Sequence, residues 1–363
     1  MFTFSPLRRA GTALVASALT ASVVVGGTTS ANAVSSSSPA GHGATWLSHQ
    51  LNKHGVIHNA PFDYDDYGLT IDTTFALKAI GGHHRAIAKS RRALSHHVGD
   101  YTTFKKHVYA GSLAKLLVFA QRTGGKARNF GGTNLVRRAA KRIAVDAPIV
   151  GRLHDKGKGD TANTIGQIFA TRGLLAAANP KGDFALKFLL RQQCAKGFFR
   201  LSFNPDKTAA RQGCSGKDVA DNDATSLAVI ELAKTAKRHP VLSAALRRAT
   251  VWLIGQQARD GGVRGGPPTA QKNSNSTGLA GWAFEKRGRC GAAKKAAGWV
   301  KDLQVGGHLA GTPLAGERGA IAYDRAALRL AKHDGITSTT RDQWRRATAQ
   351  AAPALLALSR CGT

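Results

Sequence analysis

The feature that most constrains what this chain can fold into is a repeat. Trp46-Leu47-Ser48-His49-Gln50 is echoed by Phe188-Leu189-Leu190-Arg191-Gln192 and by Trp252-Leu253-Ile254-Gly255-Gln256, with a looser copy at Trp299-Val300. Gly55, Gly197 and Gly261 each stand nine residues after the aromatic, and Gly307-His308 holds that place in the fourth copy. Each copy reads as a helix ending on an aromatic and an aliphatic anchor, then a glutamine, then a glycine able to take the left-handed stop. Such a period describes supersecondary units that bury their faces only against their neighbours.

A second periodic element follows each copy. Asp72-Thr73-Thr74-Phe75-Ala76-Leu77, Asn163-Thr164-Ile165-Gly166, Asp223-Ala224-Thr225-Ser226-Leu227-Ala228 and Asn275-Ser276-Thr277-Gly278-Leu279-Ala280 each place Asp or Asn where an N-cap belongs, then small residues, then an apolar run. Two further helices, near 109–120 and 319–332, share the small and apolar content without the cap. Between these lie amphipathic helices expected near 44–54, 85–98, 133–144, 184–193, 242–257 and 292–303. Their polar faces carry Arg91-Arg92, Arg137-Arg138, Lys141-Arg142, Arg247-Arg248 and Lys294-Lys295. A helix apolar nearly all round is buried, and one with a charged face lies outside. Six inner helices alternating with six basic outer ones predict an all-α fold, a closed α6/α6 toroid, with a final helix over 341–358 packed outside it. An open solenoid has the same spacing.

Residues 1–33 read as a secretory signal peptide: Arg8-Arg9, an apolar run from Ala10 to Val25, and an A-x-A site at Ala31-Asn32-Ala33. Residues 34–43 read as a flexible Ser-rich leader, and 44–363 as a single toroid domain. No second apolar stretch predicts a membrane span after cleavage, so the product is expected outside the cell. In an oxidising compartment, the even count of cysteines (Cys194, Cys214, Cys290 and Cys361) favours disulfides. Four cysteines allow three connectivities; the preferred one is Cys194–Cys214, closing a loop between two helices, with Cys290–Cys361 stapling the C-terminus to the body. No C-x-x-C pair occurs, and the thirteen histidines form no metal pattern, so neither metal nor cofactor is expected.

The W-L-x-x-Q…G copies resemble the Gln-to-Trp repeats of the squalene-cyclase and prenyltransferase α/α toroids. The segments from Asp66 to Asp72 and from Asn275 to Ala280 resemble secreted bacterial members of that superfamily and the toroidal domain of the cobalamin carriers intrinsic factor and transcobalamin. The resemblance implies the toroid over most of residues 44–335. It also implies a short list of chemistries, because this fold hosts cyclases, prenyltransferases and carriers.

Each chemistry asks for particular residues. Class II terpene cyclases use a D-x-D-D-T-A segment whose central acid protonates an alkene or epoxide. Asp63-Tyr64-Asp65-Asp66 has the four letters, but Tyr67-Gly68 follows, and the segment is expected in a polar loop. Asp221-Asn222-Asp223 sits at a helix start, with Ala224 in place of the last acid. With aromatic residues at 7%, the cavity is expected to be poorly equipped to stabilise carbocations. A glycosidase needs two facing carboxylates, for which Asp72 with Asp223, or Asp65 with Asp221, would have to serve, since Glu231, Glu285 and Glu317 are the only glutamates. A polysaccharide lyase suits the basic charge. The leading expectation is a non-catalytic binder of a small molecule or cell-envelope component, with Asp72, Asn163, Asp223 and Asn275 at the ligand mouth. Weaker catalytic candidates are Asp65, Asp66, Asp72, Asp221 and Asp223.

The chain holds 52 Lys and Arg against 21 Asp and Glu, a formal charge of +31. The identifiable basic pairs lie on outer helices, so the excess is assigned to the outer wall, which should be attracted to anionic polymers. Nucleic acid is the generic partner for such a charge, but export makes anionic cell-envelope polymers the expected one.

Overall fold

The computed structural model describes residues 34–362, and the expected signal peptide lies outside them. Six outer–inner helix pairs follow one another: α1 (Pro39–His49) with α2 (Tyr67–Ile80), then α3 (His84–His96) with α5 (Ala110–Arg122) after the short α4 (Val98–Thr102). Next come α6 (Leu135–Ala140) with α7 (Thr164–Ala176), α8 (Lys181–Arg191) with α9 (Asn222–Leu232), and α10 (Pro240–Gln256) with α11 (Ser274–Lys286). The last pair is α12 (Cys290–Lys301) with α14 (Arg341–Ala351), separated by α13 (Arg325–Asp334); α15 (Ala357–Arg360) follows. The inner helices pack in the order α2, α5, α7, α9, α11, α14 and back onto α2. The ring is closed, and the fold is the all-α toroid.

Small residues let the inner helices approach one another. A Cβ on Gly278 of α11 would stand 2.3 Å from the Ala351 Cα of α14, and one on Gly166 of α7 would stand 3.0 Å from the Gly111 Cα of α5. The outer helices bury only a stripe: α3 buries Ile87, Ser90 and Leu94, exposes Arg85 and Arg92, and sends Arg91 to the Thr123 carbonyl at the end of α5.

The repeat is a joint between successive outer helices. Gln193 Nε2 donates to the Gly197 carbonyl (2.8 Å) and to Ala245 of the next outer helix (2.8 Å). Gln257 does the same to Gly261 (3.1 Å) and Ala292 (3.0 Å). Gln304 bonds Gly319 (3.2 Å) and Pro39 (2.9 Å), joining the last outer helix to the first. Gly55, Gly197, Gly261 and Gly319 have positive φ, and a Cβ on any of them would meet the next outer helix's backbone at 2.2–2.7 Å. Two residues on, the N–H groups of Ile57, Phe199, Val263 and Ile321 donate to Thr70, Thr225, Thr277 and Thr348 of the inner helices. Each joint thus fixes a loop to one outer and one inner helix, and no other residue type fits the glycine position.

Several expectations are corrected. The sixth inner helix is α14, not the 319–332 segment; the 341–358 region closes the ring instead of lying outside it. The fourth repeat glycine is Gly319, displaced from Gly307 by an insertion containing two short 3-10 turns. The joining glutamines are Gln193 and Gln257, one residue after those read in the repeat. The first outer helix starts at Pro39, capped by the Ser38 hydroxyl, so the leader is partly helical. The helix expected over 133–144 is confined to Leu135–Ala140. Two short antiparallel hairpins also occur, Ile57–Asn59 with Tyr64–Asp66 and Thr103–Phe104 with His107–Val108. The preferred disulfides both form, Cys194–Cys214 and Cys290–Cys361, with Cα separations of 5.2 and 5.3 Å.

Candidate functional site

All six inner helices contribute to a central cavity of about 350 Å³. Its apolar wall is Phe75 and Ala76 from α2, Ile165 and Phe169 from α7, Leu227 from α9, Leu279 and Trp282 from α11, and Ala349 from α14. The cavity is therefore richer in aromatic surface than the overall composition implied. Phe75 stacks on Phe169 with ring centroids 6.2 Å apart.

Lys115, Asp72 and Glu231 bring charge into this wall, and Arg122 and Arg172 stand against Glu231 outside the lining itself. Near the helix N-termini, Lys115 Nζ lies 2.7 Å from Asp72 Oδ1 and donates to the Gly68 carbonyl at 3.2 Å, with Tyr101 and Ser112 alongside. Burial works against the Lys115 ammonium, but Asp72 outweighs it and leaves the lysine pKa above its ordinary value. Burial raises the Tyr101 phenol. Farther along the helices, Glu231 Oε2 lies 2.9 Å from Arg122 Nη2 and 3.4 Å from Arg172 Nε. The Arg122 guanidinium also sits 4.5 Å from the Phe75 ring centroid.

Of the residues predicted to form the site, Asp72 and Asn163 line this cavity. Asn163 caps α7, accepting from Gly166 N at 3.1 Å. The other expected caps are displaced: Asp66, Asp221 and Asn273 cap α2, α9 and α11, which puts Asp72, Asp223 and Asn275 inside their helices. Asn275 lines a separate cleft with Asn59, Phe62, Tyr323, Asp342 and Arg346, and its Oδ1 is buried without a partner. Asp65 pairs with His58 at 3.1 Å, and Asp66 with Arg346. The structure does not gather the five aspartates into one constellation. Sequence reasoning missed Lys115, Arg122, Arg172 and Glu231. The available signal was the presence of charges within three largely apolar helices, Lys115 and Arg122 on α5, Arg172 on α7 and Glu231 on α9.

Asp223 carries the most perturbed carboxyl. Burial raises its pKa to about 6, helped by Asp221 and opposed by the neighbouring Ser276. The unfolded group titrates near 4, so between about pH 4 and 6 the folded state holds a proton that the unfolded state has lost. Stability from this group is therefore full at low pH and falls as pH rises through about 6, by about 3 kcal/mol in total. Asp223→Asn should remove that slope and raise the urea midpoint at pH 7.5 while leaving it nearly unchanged at pH 4. Parallel pH profiles for the two proteins would show that Asp223 is not buried as described. Asp221, also raised by burial, should leave a residual slope of the same sign.

No protein-family model and no curated protein sequence matches the chain. Solved structures do. An unsaturated glucuronyl hydrolase from Bacillus sp. GL1, responsible for the degradation of glycosaminoglycan, superposes with a TM-score of 0.58 at 13% identity over 89% of this chain and 97% of that one. The type II terpene cyclase MstE from Scytonema gives 0.59 at 13% identity over 88% and 97%, and a protein from Actinoplanes gives 0.56 at 16% over 88% and 98%. With the closed ring of inner helices already established, this likeness identifies the chain as an α/α toroid, sharing its fold with glycan-degrading and terpene-cyclising enzymes.

Proposed function

We propose that the protein is a secreted, non-catalytic binder that holds a small molecule in its central cavity. The observation that carries this reading is the state of the two cavity carboxylates. Asp72 is engaged by an ammonium and Glu231 by two guanidiniums, so neither cavity carboxylate faces the ligand space free of a cation. Cyclisation needs a protonated acid facing an apolar substrate, and glycoside hydrolysis needs an acid and a second free carboxylate. Asp221 and Asp223 lie outside the cavity lining. The volume and the apolar wall suit a small ligand. Protein purified from native culture fluid should release one small molecule on denaturation, detected by mass spectrometry, and Ala76→Phe, which fills the cavity, should purify empty. Turnover of polyprenyl or glycan substrates that disappears with Asp72→Asn would overturn the reading.

The basic wall serves a second contact, with anionic envelope polymers. A groove beside α6 is lined by Arg128, Arg137, Lys141 and Lys181 and carries no carboxylate. Retention on isolated envelopes should fall steeply as ionic strength rises past about 0.15 M; salt-insensitive retention would exclude electrostatic attachment. Among the described residues no helix is long and apolar enough to cross a membrane.

A further inference from the structure

We propose that the cavity's ligand is an amphiphile with an apolar body and one anionic group, the anion being held by Arg172 and Arg122. This rests on the reading of the cavity as a ligand site. Arg172 follows Phe169 by three residues and Ile165 by seven on the same stripe of α7, and with Arg122 it reaches Glu231, the one member of the three that lines the cavity. Arg122 stands two turns beyond Lys115 on the same face of α5, about 10 Å deeper along the axis.

The charges do not balance. Lys115 and Asp72 neutralise each other, whereas Arg122 and Arg172 share Glu231 alone, and both are within ion-pair distance of the same oxygen. One positive charge is left over in a largely buried setting. Arg172 shows the cost: burial, then Arg122, push its pKa down to about 10 against the pull of Glu231. Its Nη1 is shut off from solvent and has no hydrogen-bond partner. A buried polar group left unpaired is expensive, and a ligand anion would relieve it. The planar guanidinium fork matches carboxylate and phosphate oxygens. Only one charge is in excess, so the site suits a single head group and not a polyanion. The apolar wall of Phe75, Phe169, Leu227, Leu279 and Trp282 would cover the rest.

Titration calorimetry of the full chain with dodecanoate, dodecyl phosphate and dodecanol, each below its micelle concentration, tests this. At least one of the anions should bind at one per chain and at least tenfold tighter than the alcohol, and the stronger of the two identifies the head group. Arg172→Gln should bring the anions to within about twofold of dodecanol. Glu231→Gln, which removes the competing carboxylate, should widen the ratio of anion to alcohol affinity about tenfold, a gain that a merely structural role would not give. Equal binding of all three probes would overturn the anionic site and leave the cavity reading standing. Binding of none would overturn this proposal, while the ligand released from the native protein decides the cavity reading separately. Anion binding that persists in Ala76→Phe would place it on the basic surface, and the proposal would fail.

Discussion

Replacing Trp344 with alanine should cost about 3–5 kcal/mol of folding stability, read from urea denaturation, with Trp344→Phe costing less. Trp344 is 1% exposed and sits on α14, the helix that closes the ring between α11 and α2. The other residues that α14 buries are Ala347, Thr348, Ala349 and Ala351, so the tryptophan is its one large anchor. It packs in the same cluster as Leu309, Leu314, Leu328 and Ile336. The size of the loss depends on how far α13, which buries only Leu328 and Ala331, can settle into the space left behind. A loss below about 1 kcal/mol would mean that α14 packs against the wall and does not complete it.

That helix also shows where the sequence misleads. Its first turns carry Arg341, Asp342, Arg345 and Arg346, the composition of an outer helix. In the fold these charges are consumed at the ring's mouth: Arg341 pairs with Glu317, Arg345 bonds Gln50 and the His58 carbonyl, and Arg346 bridges Asp66 and Asp342. Gln50, His58 and Asp66 lie 280 residues or more away in sequence and cannot be read from a local pattern. The toroid itself was legible because each joint needs the same glycine and the same small inner helix, and that need recurs along the chain. The caps were harder. Asp221 and Asp223, or Asn273 and Asn275, offer equally good capping oxygens two residues apart, and the choice is made by the loop whose N–H reaches Thr225 or Thr277.

The cavity was the least legible part. Assigning the basic excess to the outer wall was right for the arginine pairs on α3 and α6 but wrong for Lys115, Arg122 and Arg172, which stand on inner helices. Scarcity offered a clue. Each of the three glutamates ties distant segments together: Glu231 joins α5, α7 and α9, Glu285 pairs with Arg360, and Glu317 accepts from Trp46 and Arg341. In a chain so poor in this residue, Glu231 and Glu317 mark places where a buried or half-buried cation had to be met, whereas the Arg360 partner of Glu285 is exposed.

The disulfides should differ in what they contribute. Removing Cys290–Cys361 with paired serines should cost about 4 kcal/mol in the chain-entropy account, and removing Cys194–Cys214 about 3 kcal/mol, because the two bonds close stretches of 71 and 20 residues. The longer bond also has a structural task. It fastens the segment after α14 to the start of α12, and residues Ala352, Pro353, Ala354, Leu355, Leu356 and Ala357 are buried among α1, α12 and α14. With the bond gone, that plug can leave the core end first, so α14 should lose amide-exchange protection ahead of α7 and α9. The shorter bond holds a surface loop between α8 and α9, and its loss should spare the ring. Denaturation midpoints and hydrogen exchange on the two double-serine variants decide the matter. A larger penalty for the 194–214 pair, or uniform loss of protection in the 290–361 variant, would show that the C-terminal plug is not what keeps the ring shut.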